Sequence, residues 1–104
     1  MRLNDLQRRD LVKALKQIFP TTEGRFLIYG SRAQDHLKGG DIDLCFIVEN
    51  DLETQNLQEN IVPFLMAAKK RIGEQKIDFA VISKTESLND PFWKTALLHS
   101  ALLS

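Results

Sequence analysis

The sequence predicts an α+β fold: a small sheet of about three strands packed with about four helices, in a single domain covering residues 1–104. Three observations lead there. Leucines recur at helical spacing near the start of the chain. Two apolar runs, RFLIY and DIDLCFIV, bracket a Gly-Ser turn and a short polar segment. A third such run, KIDFAVI, follows a second long stretch of helical periodicity. A chain of 104 residues suffices for one hydrophobic core. Its 43% apolar and 27% charged content excludes the disordered, collagen-like and coiled-coil classes.

The elements follow in order. Asn4 and Gln7 have the spacing of a capping box, and Leu6, Leu11, Leu15 and Ile18 continue as a helix that must end before Pro20. After the turn-rich TTEG, RFLIY, residues 25–29, is continuously apolar from Phe26 on, as in a strand buried on both faces. Gly30 accepts backbone angles that other residues resist, and Ser31 with Gln34 opens a short helix that Lys38, Gly39 and Gly40 close. DIDLCFIV, rich in branched and aromatic residues, is the second strand. Leu57, Ile61, Phe64, Leu65, Ala68 and Ile72 mark a helix within residues 51–72, with a kink or restart near 60–63 because Pro63 lacks an amide hydrogen. In the third strand, residues 76–82, Ile77, Phe79 and Val81 face one way and Asp78 and Ala80 the other. Asp90 and Pro91 start a final helix expected to run nearly to Ser104, apolar on more than one stripe and so offering surface to a partner. Phe92 and Trp93 on it are expected to pack rather than to stack on a base.

Composition narrows the function classes. Lys plus Arg equals Asp plus Glu at 14 each, so direct nucleic-acid binding is not expected and any nucleotide site must be local. The opening MRLNDLQRRD lacks the apolar core of a signal peptide and no apolar run is long enough to span a bilayer, which predicts a cytoplasmic protein without membrane contact. Cys45, the single cysteine, falls in an apolar run and reads as a buried thiol. With two histidines in the chain, any metal must be held mainly by oxygen.

The chemistry is concentrated in GSRAQDHLKGGDIDLCFIV, residues 30–48. Asp41 and Asp43, two apart on a strand, share a face at about 6–7 Å, and at an effective dielectric near 20 their repulsion is on the order of 2–3 kcal/mol. Asp78 on a neighbouring strand adds to that cost unless cations occupy the space between. Mg²⁺ prefers such carboxylates and leaves positions open for water and substrate phosphates. Gly30 and Ser31 at a strand-to-helix turn favour phosphate oxygens, with Arg32 and Lys38 available as added charge. Neither GxxxxGK[ST] nor GxGxxG is present, so neither a P-loop nor a dinucleotide fingerprint is supported.

GSRA, then GGDIDL, then KIDF resembles the polymerase-beta-like nucleotidyltransferase superfamily, and the chain's size narrows the resemblance to the minimal nucleotidyltransferases. The resemblance implies that superfamily's fold, with a mixed sheet. It implies that Gly30, Ser31 and Arg32 bind the nucleotide, and that Asp41, Asp43 and Asp78 hold Mg²⁺, two ions in all, with Asp78 helping to activate the acceptor. Many relatives have glycine at the place of Asp35 and serine at that of Gly40, a departure that touches substrate geometry more than the metal site. Also implied are ATP as the AMP donor, a hydroxyl acceptor on a tyrosine of a HEPN-domain protein encoded nearby, a hetero-oligomer with that protein, and an antitoxin role. A non-catalytic protein that neutralises its partner through the final helix is the alternative. Small-molecule transfer of the aminoglycoside type ranks last, because 104 residues provide little acceptor pocket.

Overall fold

The computed structural model describes residues 3–30, 41–49, 54 and 57–104. The expected short helix after Gly30 lies outside them, as do Ser31, Arg32, Asp35, His36, Lys38 and Gly40. Among the described residues, no helix is long and apolar enough to cross a membrane.

Helix α1 spans Asp5–Ile18 and opens on the expected capping box: Asn4 Oδ1 accepts from the Gln7 amide at 2.7 Å, and Gln7 Oε1 from the Asn4 amide at 3.2 Å. Its buried stripe is Leu11, Ala14 and Leu15. Leu6 is 62% exposed, contrary to expectation. At about 100° per residue it sits some 140° round the helix from Leu11, off the stripe.

Strands β1 (Gly24–Tyr29) and β2 (Ile42–Val48) pair antiparallel, and β3 (Ile77–Ser83) pairs parallel with β2. Between β2 and β3 lies helix α2, Ile61–Ile72. The expected restart is observed at its start, where Asn60 precedes the first turn and its carbonyl accepts from the Phe64 amide at 3.0 Å. Pro63 is the third residue of the helix, where the amide would have no intrahelical partner, so its missing hydrogen costs nothing.

Two corrections fall in the last quarter of the chain. Lys84–Asn89 form a helix, α3, that no expectation covered; Ser83 caps it, its Oγ accepting from the Glu86 amide at 3.0 Å. The final helix, α4, covers only Pro91–Ala96, although it starts as expected with Asp90 Oδ1 accepting from the Phe92 amide at 2.8 Å. A 3-10 turn over Leu97–His99 leads into a fourth strand, β4, Ser100–Leu102. Among the described residues the sheet therefore has four strands rather than about three, in the order β3-β2-β1-β4, and it is mixed. The cause is the open edge of β1, whose backbone groups need partners. Leu27, Ile28 and Tyr29 align with Leu102, Ala101 and Ser100, and the Leu103 amide donates to the Phe26 carbonyl at 2.7 Å. The apolar residues that would have over-covered a helix instead alternate, Leu103 inward and Leu102 outward.

Helices α1 and α2 cover one face of the sheet, over Phe26, Ile28, Leu44, Phe46, Phe79 and Val81. Phe64 of α2 stacks on Phe79 with centroids 4.1 Å apart. The opposite face carries a smaller cluster, Leu27, Cys45, Ile47 and Ile82 beneath Trp93, with Tyr29 and Ala80 at its margin. β1 is thus buried on both faces, as expected. Cys45 is the buried thiol expected of it, burial foremost and then the charge of Glu86 raising it to about 12.

Candidate functional site

The candidate side chains gather on the less covered face, at the end of the sheet where β1 leaves and β2 and β3 begin. Three residues form one row across three strands: Tyr29 of β1 aligns with Asp43 of β2, and Asp43 with Asp78 of β3. Strict alternation puts all three on the face away from α1 and α2, since their neighbours Ile28, Ile42, Leu44, Ile77 and Phe79 point into the main core.

Asp43 is half-buried and its carboxyl is held above the usual 3.8. Burial is the chief cause; the charges of Asp78 and Asp41 and a hydrogen bond with Asp78 act in the same direction, and Lys76 opposes them. A carboxyl that shares a hydrogen bond with another acid and repels two of them seeks positive charge. Tyr29 feels the same field: burial, then Asp43, Cys45 and Asp78, push its phenol up to about 12. Its ring meets Trp93 edge-on at 5.4 Å.

Asp41, just before β2, is paired with a base. Its Oδ2 lies 3.5 Å from Lys76 Nζ, the residue before β3. The structure therefore brings Asp43 and Asp78 together and leaves Asp41 close enough to repel Asp43 while it is engaged by a lysine. Among the described residues, no three His, Cys, Asp or Glu side chains already stand in the geometry of a metal site. The donor set still suits a hard divalent cation: it is all carboxylate oxygen, and its mutual repulsion is what a cation relieves.

Gly30 is placed where the sequence put it and is needed on two counts. Its φ is +72°, in the left-handed region, and a Cβ there would come within 2.7 Å of Asp43 Oδ2. The bare backbone at the end of β1 thus lies directly against the carboxylate row. Ser31 and Arg32, expected to share the nucleotide with Gly30, fall outside the described residues.

Sequence reasoning missed Tyr29 and Lys76. Both carried a signal: Tyr29 is the last residue before Gly30, and Lys76-Ile-Asp78 repeats the spacing of Asp41-Ile-Asp43. Parallel pairing of Ile42 with Ile77 sets those two triplets side by side, acid against base at one rung and acid against acid at the next on the same face.

No curated protein matches the chain significantly. Among solved structures, it is similar to a candidate nucleotidyltransferase from Sulfolobus solfataricus, with 21% identity over 94% of this chain and 82% of that one and a TM-score of 0.49. The family model described as "Nucleotidyltransferase domain" matches residues 8–100, from α1 through the whole acid row to the start of β4. With so much of its length matched, the chain belongs to the nucleotidyltransferase domain family.

Proposed function

We propose that this protein is a Mg²⁺-dependent nucleotidyltransferase that moves AMP from ATP to a hydroxyl of a protein partner, a tyrosine of a HEPN-domain protein, and so acts as the antitoxin of that partner. The observation that carries the reaction is the Asp43–Asp78 rung lying against the bare backbone of Gly30. The partner's identity rests on the resemblance of GSRA, GGDIDL and KIDF to the minimal nucleotidyltransferases.

In this reading, Gly30, with Ser31 and Arg32, receives the triphosphate, and Asp43 and Asp78 hold the cation side, Asp41 joining them on release from Lys76. When bound, Mg²⁺ would offset the charge that develops on the attacking and leaving oxygens. The acceptor oxygen attacks the α-phosphorus, a new P–O bond forms, and pyrophosphate leaves. Asp78, exposed at the row's outer end, is the acid within reach of an incoming hydroxyl and is suited to take its proton. The protein's share is position and charge, the main part of catalysis in phosphoryl transfer.

The test is incubation with α-labelled ATP, Mg²⁺ and the neighbouring gene product, with the native chain and with Asp43→Asn. Label on the partner that requires Asp43 supports the proposal. Neutralisation of the partner that survives the substitution without label sinks it in favour of a non-catalytic binder.

A further inference from the structure

Phe92 was expected to pack, yet it is 62% exposed. Its ring abuts Trp93 edge-to-face at 4.9 Å, and Trp93 in turn abuts Tyr29 at 5.4 Å. Tyr29 is the first member of the acid row. A continuous aromatic wall therefore runs from the row to solvent, ending in an uncovered ring.

The helix sets Phe92 apart from the neighbouring groove. Lys94, Leu97 and Leu98 line a groove of about 360 Å³ together with Arg25, Leu27, Ile47 and Ser100. Phe92 is two residues before Lys94, about 200° round the helix, so it occupies the opposite flank. Trp93, between them in the chain, is the buried residue of this helix, and it is the one that meets Tyr29 of the acid row.

We infer that Phe92, backed by Trp93 and Tyr29, is the platform on which the base of the nucleoside triphosphate stacks. The inference rests on the reading that the acid row and Gly30 take a triphosphate. A base has an aromatic face to offer whatever its hydrogen-bonding edge, and an exposed ring seated against Trp93 is placed to meet it. The site would thus favour a nucleoside triphosphate over bare polyphosphate while discriminating weakly among bases.

Calorimetric titration of the full chain with Mg²⁺-ATP and with Mg²⁺-tripolyphosphate separates the two parts. The native chain should bind ATP on the order of tenfold more tightly than tripolyphosphate, and Phe92→Ala should erase that difference while leaving tripolyphosphate affinity unchanged. Phe92→Tyr should retain the preference and Phe92→Leu should lose it. Emission from Trp93, the only tryptophan, should respond to ATP and not to tripolyphosphate. Native binding of both ligands with equal affinity, or a Phe92→Ala chain that still prefers ATP, overturns the stacking role alone. A native chain that binds neither ligand overturns the triphosphate reading and this inference with it.

Discussion

Replacing Asp43 by Asn should stabilise the protein in the absence of metal, and the gain should depend on pH. Asp43 and Asp78 face each other across neighbouring strands, which lie about 4.8 Å apart. Two full charges at that distance repel by roughly 3 kcal/mol at an effective dielectric of 20 and by about 1 kcal/mol in water. Asp78 is exposed and Lys76 partly compensates, so the lower end applies, about 1 kcal/mol. In a domain of this size that raises the melting temperature by about 4–8 °C.

The sign follows from proton linkage. The folded value of Asp43 is raised above 3.8, so the folded chain binds this proton more tightly than the unfolded chain. The resulting stability is fully present below the unfolded value and is lost as pH rises through the folded one. An asparagine does not titrate, so variant and native should melt alike in acid and diverge as pH climbs toward neutral, with the variant higher. Differential scanning calorimetry across that range is the assay. A variant that melts lower than native at neutral pH, or a difference that does not change with pH, refutes the idea that this rung is under electrostatic load. Mg²⁺ at ten times its Kd should add about 1.4 kcal/mol to the native chain and much less to the variant.

Gly30→Ala should destabilise by about 1–2 kcal/mol from its left-handed backbone, and should also lower nucleotide transfer at least tenfold by displacing the Asp43 carboxylate; melting and label transfer measure the two effects. Leu103→Ala should cost about 2–5 kcal/mol because the side chain is buried beside β4, whereas Leu102→Ala should change little; equal losses in urea unfolding would contradict the strand. Ser83→Ala should cost about 1 kcal/mol by uncapping α3, visible in the same unfolding curves.

What the residues announced and what they withheld divides along a physical line. Local signals were legible: the Asn4–Gln7 box, the two-sided apolar run of β1, the Asp90–Pro91 start and the Gly30 turn each depend on neighbours in the chain. The Ser83–Glu86 cap is equally local, a serine with an acid three residues on. β4 was not local at all. Residues 97–104 carry enough leucine for either a helix or a strand, and the open edge of β1 decides between them. At the site, alternation placed Asp43 and Asp78 on faces of their own strands, but only parallel register brings the two faces together. The same register diverts Asp41 to Lys76, which no reading of the DxD spacing alone contains.

That register also explains why the acid rung persists. A slip of two residues would preserve which side chains face the core and would set Asp43 against Lys76, exchanging repulsion for attraction. It would also misalign Ile42 with Ile77, Leu44 with Phe79 and Phe46 with Val81, all buried pairs in the main core. Forcing packed core side chains out of their fit typically costs about 1–3 kcal/mol, which matches or outweighs the roughly 1 kcal/mol that the rung costs. Hydrophobic packing therefore holds two acids together that electrostatics alone would separate, and the strain is available for a cation to relieve. Asp78→Lys tests this directly. With the register unchanged, the rung becomes an ion pair, the chain should melt at least as high as Asp43→Asn at neutral pH, and its response to Mg²⁺ should vanish. Lower melting for Asp78→Lys than for the native chain would mean that the packing, and not the charge, is what Asp78 serves.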